Sequence, residues 1–403
     1  MSCVTMMNIN NEPYKVVLLF NANNIYDRQI LKGIGDFLKS HNIHWNIYIS
    51  ETLRYDTTNS FRFDCDGIIA NFDDPDIADL LKHVQIPIIG VGSSYHGKSS
   101  YPNVPYVAAD NFSIIESAFN HLCAKGISQF AFYGLPSNRY CRWAGVREEI
   151  FKQILAQKGY EGFIYQGLST SLDNWQEGLD KLSKWLLSLP MNTGIIAVND
   201  ARAHHILQAC DRAGIKIPEE LCLIGIDNEE VINDLSMVSL STVKQGTEEM
   251  GFNAANLLQK HFIKGNVPVC PLLIAPKKVI ARRSTDYRSI HDPYVIQAIH
   301  YIRDHACKGI KVEQVISQMQ ISRSNLEIRF KSSLGKTIHA VIHEEKFNQA
   351  KYLLLESSLP IQTISQQCGY PSVQYFYFLF KKRYGMTPKD FRCQFTTLKS
   401  ATL

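Results

Sequence analysis

Along residues 15–283 the hydrophobic positions fall into short unbroken runs: KVVLLF, DGIIANF, IPIIGVG, YVAAD, QFAFYGL, FIYQG, TGIIAVND, LCLIGIDN and LLIAPKKVIA. Between them apolar residues recur every three or four positions, over residues 26–41, 76–83, 111–125, 143–158, 173–187, 201–213 and 246–263. A run that is apolar throughout predicts a strand covered on both faces, and its alternation with amphipathic helices predicts parallel sheets flanked by helices. The stretch is long enough for two such lobes. Beyond it the strand pattern stops and helical spacing alone continues. The chain therefore reads as a two-lobed α/β domain at 14–283, a linker at 284–292 and an all-α domain at 293–395.

The helical part repeats itself. Val312, Val315, Met319, Phe330, Lys331, Gly335 and Thr337 return 49 or 50 positions later as Ile361, Ile364, Cys368, Phe380, Lys381, Gly385 and Thr387. The offset grows by one inside a polar break, QISRS in one copy and GYPS in the other. Each copy predicts two short helices joined by a tight turn, and two such helix-turn-helix units in tandem point to DNA. In the first copy Leu326, Phe330 and Leu334 make an inward face, which leaves Arg323, Ser324, Asn325, Glu327 and Lys331 as candidates to meet a major groove. In the second, Phe376, Phe380 and Tyr384 hold the helix down, and Val373, Gln374, Tyr377, Phe378 and Lys381 are the outward candidates. The lysine suits phosphate better than bases. Ser322 or Ser324 is placed to cap the second helix of the first copy, the latter with Glu327 as a capping box, and Gly335 and Gly385 to end each copy.

Charge sharpens this picture. The chain carries a net +4, but residues 286–403 hold 16 Lys and Arg against 9 Asp and Glu, while the remainder holds 26 against 29. The basic excess lies in the segment with the repeat, as an electrostatic footprint for a polyanion should.

The stretch IQTISQQCGYPSVQYFYFLFKKRYGMTPKDFR resembles the second helix-turn-helix signature of the AraC-type transcription regulators. Ile361, Ile364, Gly369, Tyr370, Phe376, Phe380, Lys381, Lys382, Gly385, Thr387, Pro388, Phe391 and Arg392 stand in register with that pattern. The resemblance implies a long helix bridging the two units, here 338–355, so that both recognition helices meet one DNA face. It also marks a departure. The family's bridging helix carries an Arg where this chain has Lys346, which keeps the charge and loses the bidentate fork.

In the α/β part, polar residues gather where strands end. Asn21, Asn24, Tyr26 and Asp27 follow the first strand, Arg142 and Trp143 follow QFAFYGL, Asn199 and Asp200 close TGIIAV, Asp227 closes LCLIGI and Gln245 follows STV. Open α/β sheets bind ligands at these carboxyl ends, and planar polar groups beside an aromatic face suit a sugar ring. Each residue singly also suits a helix cap. This half resembles the sugar-binding domains of the lac-repressor family and the periplasmic ribose-binding proteins. Through R-x-x-G at Arg142, V-N-D at Asn199, G-I-D at Asp227 and the position of Gln245, with Tyr26 and Asp27 at the pocket wall, the resemblance implies a sugar between two lobes of periplasmic-binding-protein type. After IPIIGV, where the pentose-binding proteins have an acid and an Arg, this chain has Gly92, Ser93 and Ser94. That part of the site must be built otherwise, from Tyr95 or His96.

Taken together, the resemblances imply a sugar-responsive regulator; D-xylose as effector, with activation of xylose catabolism and transport operons and no cofactor, is implied only by a further likeness, over nearly the whole chain, to regulators that join these two parts in this order, carried by LLFNANNIYDRQILKGIGDFL, TGIIAVNDARAHHILQ, IGIDNEE and RRSTDYRS. They further imply double-stranded promoter DNA and RNA polymerase as partners, and a homodimer. Composition and spacing do not separate a pentose from a hexose, so another pentose or small ligand stays open. A sugar-transport binding protein is the contrasting class, opposed by the DNA module and by an N-terminus lacking the features of an export signal, which leads us to expect a cytoplasmic protein without membrane contact. An enzyme is disfavoured: there is no G-x-S-x-G, P-loop or G-x-G-x-x-G, and Cys141 lies in YCRW rather than beside a proline. Ten scattered cysteines without C-x-x-C and the adjacent His204 and His205 give no metal-ligand spacing.

Overall fold

The computed structural model describes residues 12–49, 64–97, 100–136, 138–169, 173–265, 267–286, 292–357 and 359–393. Part of the expected linker, 287–291, and the last two residues of the expected second domain, 394 and 395, lie outside the described residues. The chain divides into two compact units, residues 1–288 and 289–403.

The first unit is built on two sheets. Strands β1 (Lys15–Leu19), β2 (Asn46–Ile49), β3 (Gly67–Asn71), β4 (Ile88–Gly92) and β5 (Tyr106–Ala109) belong to one, and β6 (Gln129–Gly134), β7 (Gly162–Gln166), β8 (Thr193–Ala197), β9 (Leu221–Ile226) and β10 (Ser241–Lys244) to the other. Every residue of β3, β4, β8 and β9 is buried, as continuous apolar runs require. The run LLIAPKKVIA is not one strand. It splits into β11 (Pro271–Ile274), which pairs parallel to β5 in the first sheet, and β12 (Lys278–Ile280), which pairs with β10 in the second. The β10–β12 pair is antiparallel, which corrects the expectation of purely parallel sheets.

Helices α1 (Ile25–His41) and α2 (Pro75–Leu81) flank the first sheet; α3 (Asn111–Ala124), α4 (Arg142–Lys158), α5 (Trp175–Ser188), α6 (Asp200–Ala213) and the short α7 (Glu230–Asp234) belong to the second lobe. Helix α8 (Thr247–Lys264) follows β10 yet packs on α1 and the first sheet. The chain thus crosses between lobes three times, after β5, after β10 and after β11. The crossings lie side by side: Asp110 N–H donates to Ile274 O (2.9 Å) and Lys277 N–H to Lys244 O (2.8 Å). Helices α1 and α8 touch backbone to backbone through reciprocal glycines. A Cβ on Gly33 would lie 1.9 Å from Glu248 O, and one on Gly251 1.9 Å from Ile30 O.

The first unit runs past residue 283, where the sequence reading ended it. Ser284 and Thr285, assigned above to the linker, form a fully buried 3-10 turn: Ser284 Oγ donates to Leu223 O (2.6 Å), and Thr285 Oγ1 meets Ser241 Oγ (2.7 Å) and His121 Nε2 (2.7 Å).

The second unit is helical among its described residues: α9 (Pro293–His305), α10 (Val312–Met319), α11 (Arg323–Leu334), α12 (Ile338–Glu356), α13 (Ile361–Gln367) and α14 (Val373–Tyr384). It has two cores. One gathers Val295, Ile302, Val315, Leu326 and Phe330, the other Phe347, Leu354, Ile364, Phe376 and Phe380. Bridging helix α12 contributes to both.

Candidate ligand cleft and DNA-binding helices

Asp227 ends β9 in a turn that side chains normally avoid, with φ at 117° for Asp227 and 60° for Asn228. Such backbone costs on the order of 1–3 kcal/mol per residue and persists only where its surroundings fix it. Here they do. The N–H of Asp227 donates to Val243 O (3.1 Å), that of Asn228 to Thr242 Oγ1 (3.1 Å) and that of Glu229 to Asp200 Oδ2 (2.9 Å), while Thr242 Oγ1 donates to Asp200 Oδ1 (2.8 Å). The turn brings the Asp227 carboxylate to Gln245, whose Nε2 donates to it at 2.5 Å. Gln245 is 3 % exposed and its own Oε1 has no partner.

Helix α4 supplies two arginines. Arg142, at its start, belongs to the second lobe but reaches the first: Nη2 donates to Phe72 O (3.2 Å) and to the Tyr95 hydroxyl (3.3 Å), and the guanidinium lies 4.9 Å from the Tyr95 ring centre. Its Nε is buried without a partner. Arg147 is wholly buried, donating to Asn111 Oδ1 (3.0 Å) and Val198 O (2.7 Å) beside the Trp143 ring. Burial lowers its pKa, and Asp227, Tyr26, Asp73 and Asp200 oppose that shift. Acids of both lobes therefore surround one buried cation.

The first lobe answers with Tyr26, whose hydroxyl lies 2.8 Å from Ser93 Oγ, and with Asp73, whose carboxylate accepts from the N–H groups of Ser93 (2.8 and 2.9 Å) and Ser94 (2.7 Å). The Tyr106 hydroxyl is buried without a partner, and the Ser94 hydroxyl is buried beside the Asp73 carboxylate. A Cβ on Gly92 would lie 2.6 Å from both Asp73 Oδ1 and the Tyr106 hydroxyl, so glycine leaves that space to polar atoms. Where the sequence lacks an acid after β4, Asp73 at the end of β3 supplies one; Tyr95 is half-buried against Arg142, and His96 is exposed. At the rim, Arg139 of the second lobe pairs with Asp76 (2.9 Å) and Asp79 (3.1 Å) of the first.

Burial raises the pKa of Asp227 to about 6 against the pull of Arg147 and Gln245, and that of Asp27 to about 7 against the Asn21 N–H. Of the predicted residues, Tyr26 and Asp227 lie within electrostatic reach of Arg147, Gln245 bonds to Asp227, and Arg142 reaches across to Phe72 and Tyr95 of the first lobe. Asp27 does not present a free carboxylate. It is 1 % exposed, with its oxygens taken by the Asn21 N–H (2.6 Å) and Asn71 Nδ2 (2.9 Å), so it fixes the β1–α1 turn rather than lining the pocket. Asn199 is half-buried at the end of β8 and its Oδ1 caps α6 by accepting from Arg202 N–H (2.9 Å). Arg147, Asp73 and Asn111 were missed. The strand-end rule reaches Asp73 when applied to DGIIANF, whereas nothing in the sequence marks Arg147.

In the second unit, Ser322 rather than Ser324 caps α11, accepting from Asn325 N–H (3.3 Å), and Ser372 caps α14 (3.1 Å). Arg323, Ser324, Asn325 and Lys331 are exposed on α11, as are Gln374, Phe378 and Lys381 on α14. Two assignments need correction. Glu327 is half-buried and accepts from Ile338 N–H (3.4 Å), tying α11 to α12, and Tyr377 packs against the second core, edge to face with Phe376. Val373 is half-buried. Lys346 is 6 % exposed and donates to Gly369 O (2.8 Å) above the Tyr370 ring, so the bridging helix holds the second turn through a point charge.

Among the described residues no helix is long and apolar enough to cross a membrane, and no group of three His, Cys, Asp or Glu could hold a metal ion. Residues 15–112 match the family described as the XylR N-terminal domain, residues 119–285 the periplasmic binding protein-like domain and residues 316–394 the helix-turn-helix domain. The chain is 53% identical over 379 residues to the xylose operon regulatory protein of Escherichia coli (strain K12), covering 94% of this chain and 97% of that protein. It is 51% identical over 379 residues to the one of Haemophilus influenzae, covering 94% and 98%. The solved structure of a xylose-binding transcription activator aligns with a TM-score of 0.85 at 53% identity, over 94% of this chain and 98% of that one. The chain belongs to the family of xylose operon regulatory proteins.

Proposed function

We propose that this protein is a transcription activator that binds D-xylose between the two lobes of its first unit, with promoter DNA held by α11 and α14 of its second. Support for the ligand site comes foremost from buried, unpartnered polar atoms contributed by both lobes: Gln245 Oε1 and Arg142 Nε from one, the Tyr106 hydroxyl from the other. A buried polar atom without a partner costs about 1–3 kcal/mol, and hydroxyl groups, which both donate and accept, satisfy each of these. Asp227 and Asp73 accept from sugar hydroxyls, Arg142 donates through its Nε, Gln245 accepts through its Oε1, Tyr26 lends an aromatic wall, and Asn199 offers its amide N–H.

The three crossings make the lobes one hinged body. A sugar bonded to both lobes favours the closed arrangement, and it shifts the population towards the DNA-binding state only by as much as it binds that state more tightly. Regulation of this kind places the protein in the cytoplasm, as a homodimer that contacts RNA polymerase from adjacent half-sites. The test is fluorescence anisotropy of the full-length protein on a duplex selected from a random pool, with and without D-xylose. Tighter binding with D-xylose, and no change with D-glucose, is the expected result; unchanged binding with every sugar would refute the regulatory reading.

A further inference from the structure

Ile328 and Phe378 occupy the same place in the two repeats, 50 residues apart, and both stand in solvent, 68% and 63% exposed. Their helices have no need of them for packing, since Leu326 and Phe330 in α11 and Phe376 and Phe380 in α14 already fill the cores at 0% exposure. One exposed apolar side chain is ordinary. Two at one repeated position are a pattern. Each is ringed, three and four residues away on the same helix face, by exposed residues that are mostly polar: Ser324, Asn325 and Lys331 around Ile328, and Gln374, Lys381 and Lys382 around Phe378, where Tyr375, 40% exposed, stands beside them. That surround suits a polyanion carrying base edges and does not suit an apolar protein partner.

The floor of the major groove is polar except for the C5-methyl group of thymine. We propose that Ile328 and Phe378 are specificity residues that read thymine methyl groups, one beneath each recognition helix, while Asn325 and Gln374 meet base edges and the lysines meet phosphate. This rests on the DNA-binding reading of α11 and α14 and adds which bases they favour.

The experiment starts from duplexes that full-length protein enriches from a random pool in the presence of D-xylose. Single thymines in the winning sequence are then replaced by deoxyuridine, which keeps every hydrogen-bonding group and lacks the methyl. Burying one such carbon is worth about four-fold in affinity. The proposal expects one thymine under each helix at which deoxyuridine weakens binding about four-fold. Ile328→Ala should abolish the effect at one position and leave the other, Phe378→Ala should do the reverse, and Ile328→Val should retain most of it. Thermal melting of each variant checks that it folds. Thymines that are all insensitive, or variants that keep full sensitivity at both positions, would overturn the proposal. So would variants that change oligomer size and leave methyl sensitivity intact, since that would assign these side chains to a second copy of the chain. If no sequence is enriched at all, the DNA-binding reading fails first and this proposal with it.

Discussion

The two units draw on the same short set of polar residues and put them to opposite use. In the first unit Asp227, Gln245, Asp73 and Arg147 are turned inward and held in place, Gln245 bonded to Asp227, Asp73 to the Ser93 and Ser94 N–H groups and Arg147 to Asn111 and Val198, with Gln245 Oε1 left over. At the helix-turn-helix units, Ser322, Asn325, Ser372 and Gln374 stay in water, and their bonds are local: Ser322 and Ser372 cap their helices, and Asn325 Oδ1 accepts from Arg329 one turn along. A buried, unpartnered group points to a small ligand that must satisfy it, because leaving it bare costs free energy that water would otherwise supply. An exposed one gains little from any single partner, so a surface of that kind recognises a large, charged partner by summing many contacts.

The contrast predicts that the first unit tolerates far less change. Gly251→Ala forces a Cβ to within 1.9 Å of Ile30 O, a backbone atom that cannot move without parting α1 from α8. A loss of about 3 kcal/mol or more is expected, at or beyond the usual range for overpacking. Gly385→Ala meets nothing within 4 Å and carries only the strain of φ +73°, about 1–2 kcal/mol. Thermal melts followed by circular dichroism separate the two, and equal losses would show that the close helix approach is misplaced.

Asp227→Asn removes the charge while keeping the shape. If Asp227 accepts from two sugar hydroxyls, each bond to the charged group being worth about 1.5–3 kcal/mol, affinity for D-xylose should drop on the order of 100-fold with little change in melting temperature. A drop of only a few fold would place the sugar elsewhere. In the other unit Gln374→Ala should lose on the order of ten-fold on a selected duplex and almost nothing on random DNA, whereas Lys381→Ala should weaken both and reduce the salt slope by about one. Equal losses on both duplexes for Gln374→Ala would remove it from base reading.

The smallest effect is that of pH. Asp227 titrates near 6 because burial disfavours its charge. The folded chain holds that proton more tightly than the unfolded one, so the group's contribution to stability is fully present below about pH 4 and is lost as pH rises through 6. Sugar binding runs the other way, because the ionised form is the better acceptor. Between pH 7.5 and 5.5 affinity should fall about four-fold, in proportion to the ionised fraction, with a proton released on binding near pH 6. Titrations in buffers of different ionisation enthalpy would detect that proton, and a flat profile would mean the sugar does not meet the carboxylate.

The fold was legible where one short-range rule decides. Most continuous apolar runs became buried strands, those of β7 and β11 being the more exposed exceptions, and the 49- to 50-residue offset became two helix-turn-helix units. Even the one-residue growth is placed: Gln320 and Gly369 take the same left-handed position, at φ 53° and 66°, and the extra residue lies between Gly369 and the cap Ser372. The splitting of LLIAPKKVIA was not legible, because its two halves pair with strands over 30 and over 160 residues upstream. Strand ends reveal where a cleft lies and miss what completes it. Arg147 sits inside a helix, and its role appears only when Asn111, Val198 and the acids of both lobes surround it. Asp27 and Tyr377 erred for the same reason, since a polar or outward position in sequence does not say whether the fold will cover it.

The most direct test is calorimetric titration of the full-length protein with D-xylose, with D-ribose, L-arabinose and D-glucose alongside and Asp227→Asn as control. The account predicts saturable one-site binding of D-xylose that the substitution weakens on the order of 100-fold, with the other sugars weak or silent. Binding of D-xylose that is indifferent to Asp227, or no binding of D-xylose at all, would contradict it.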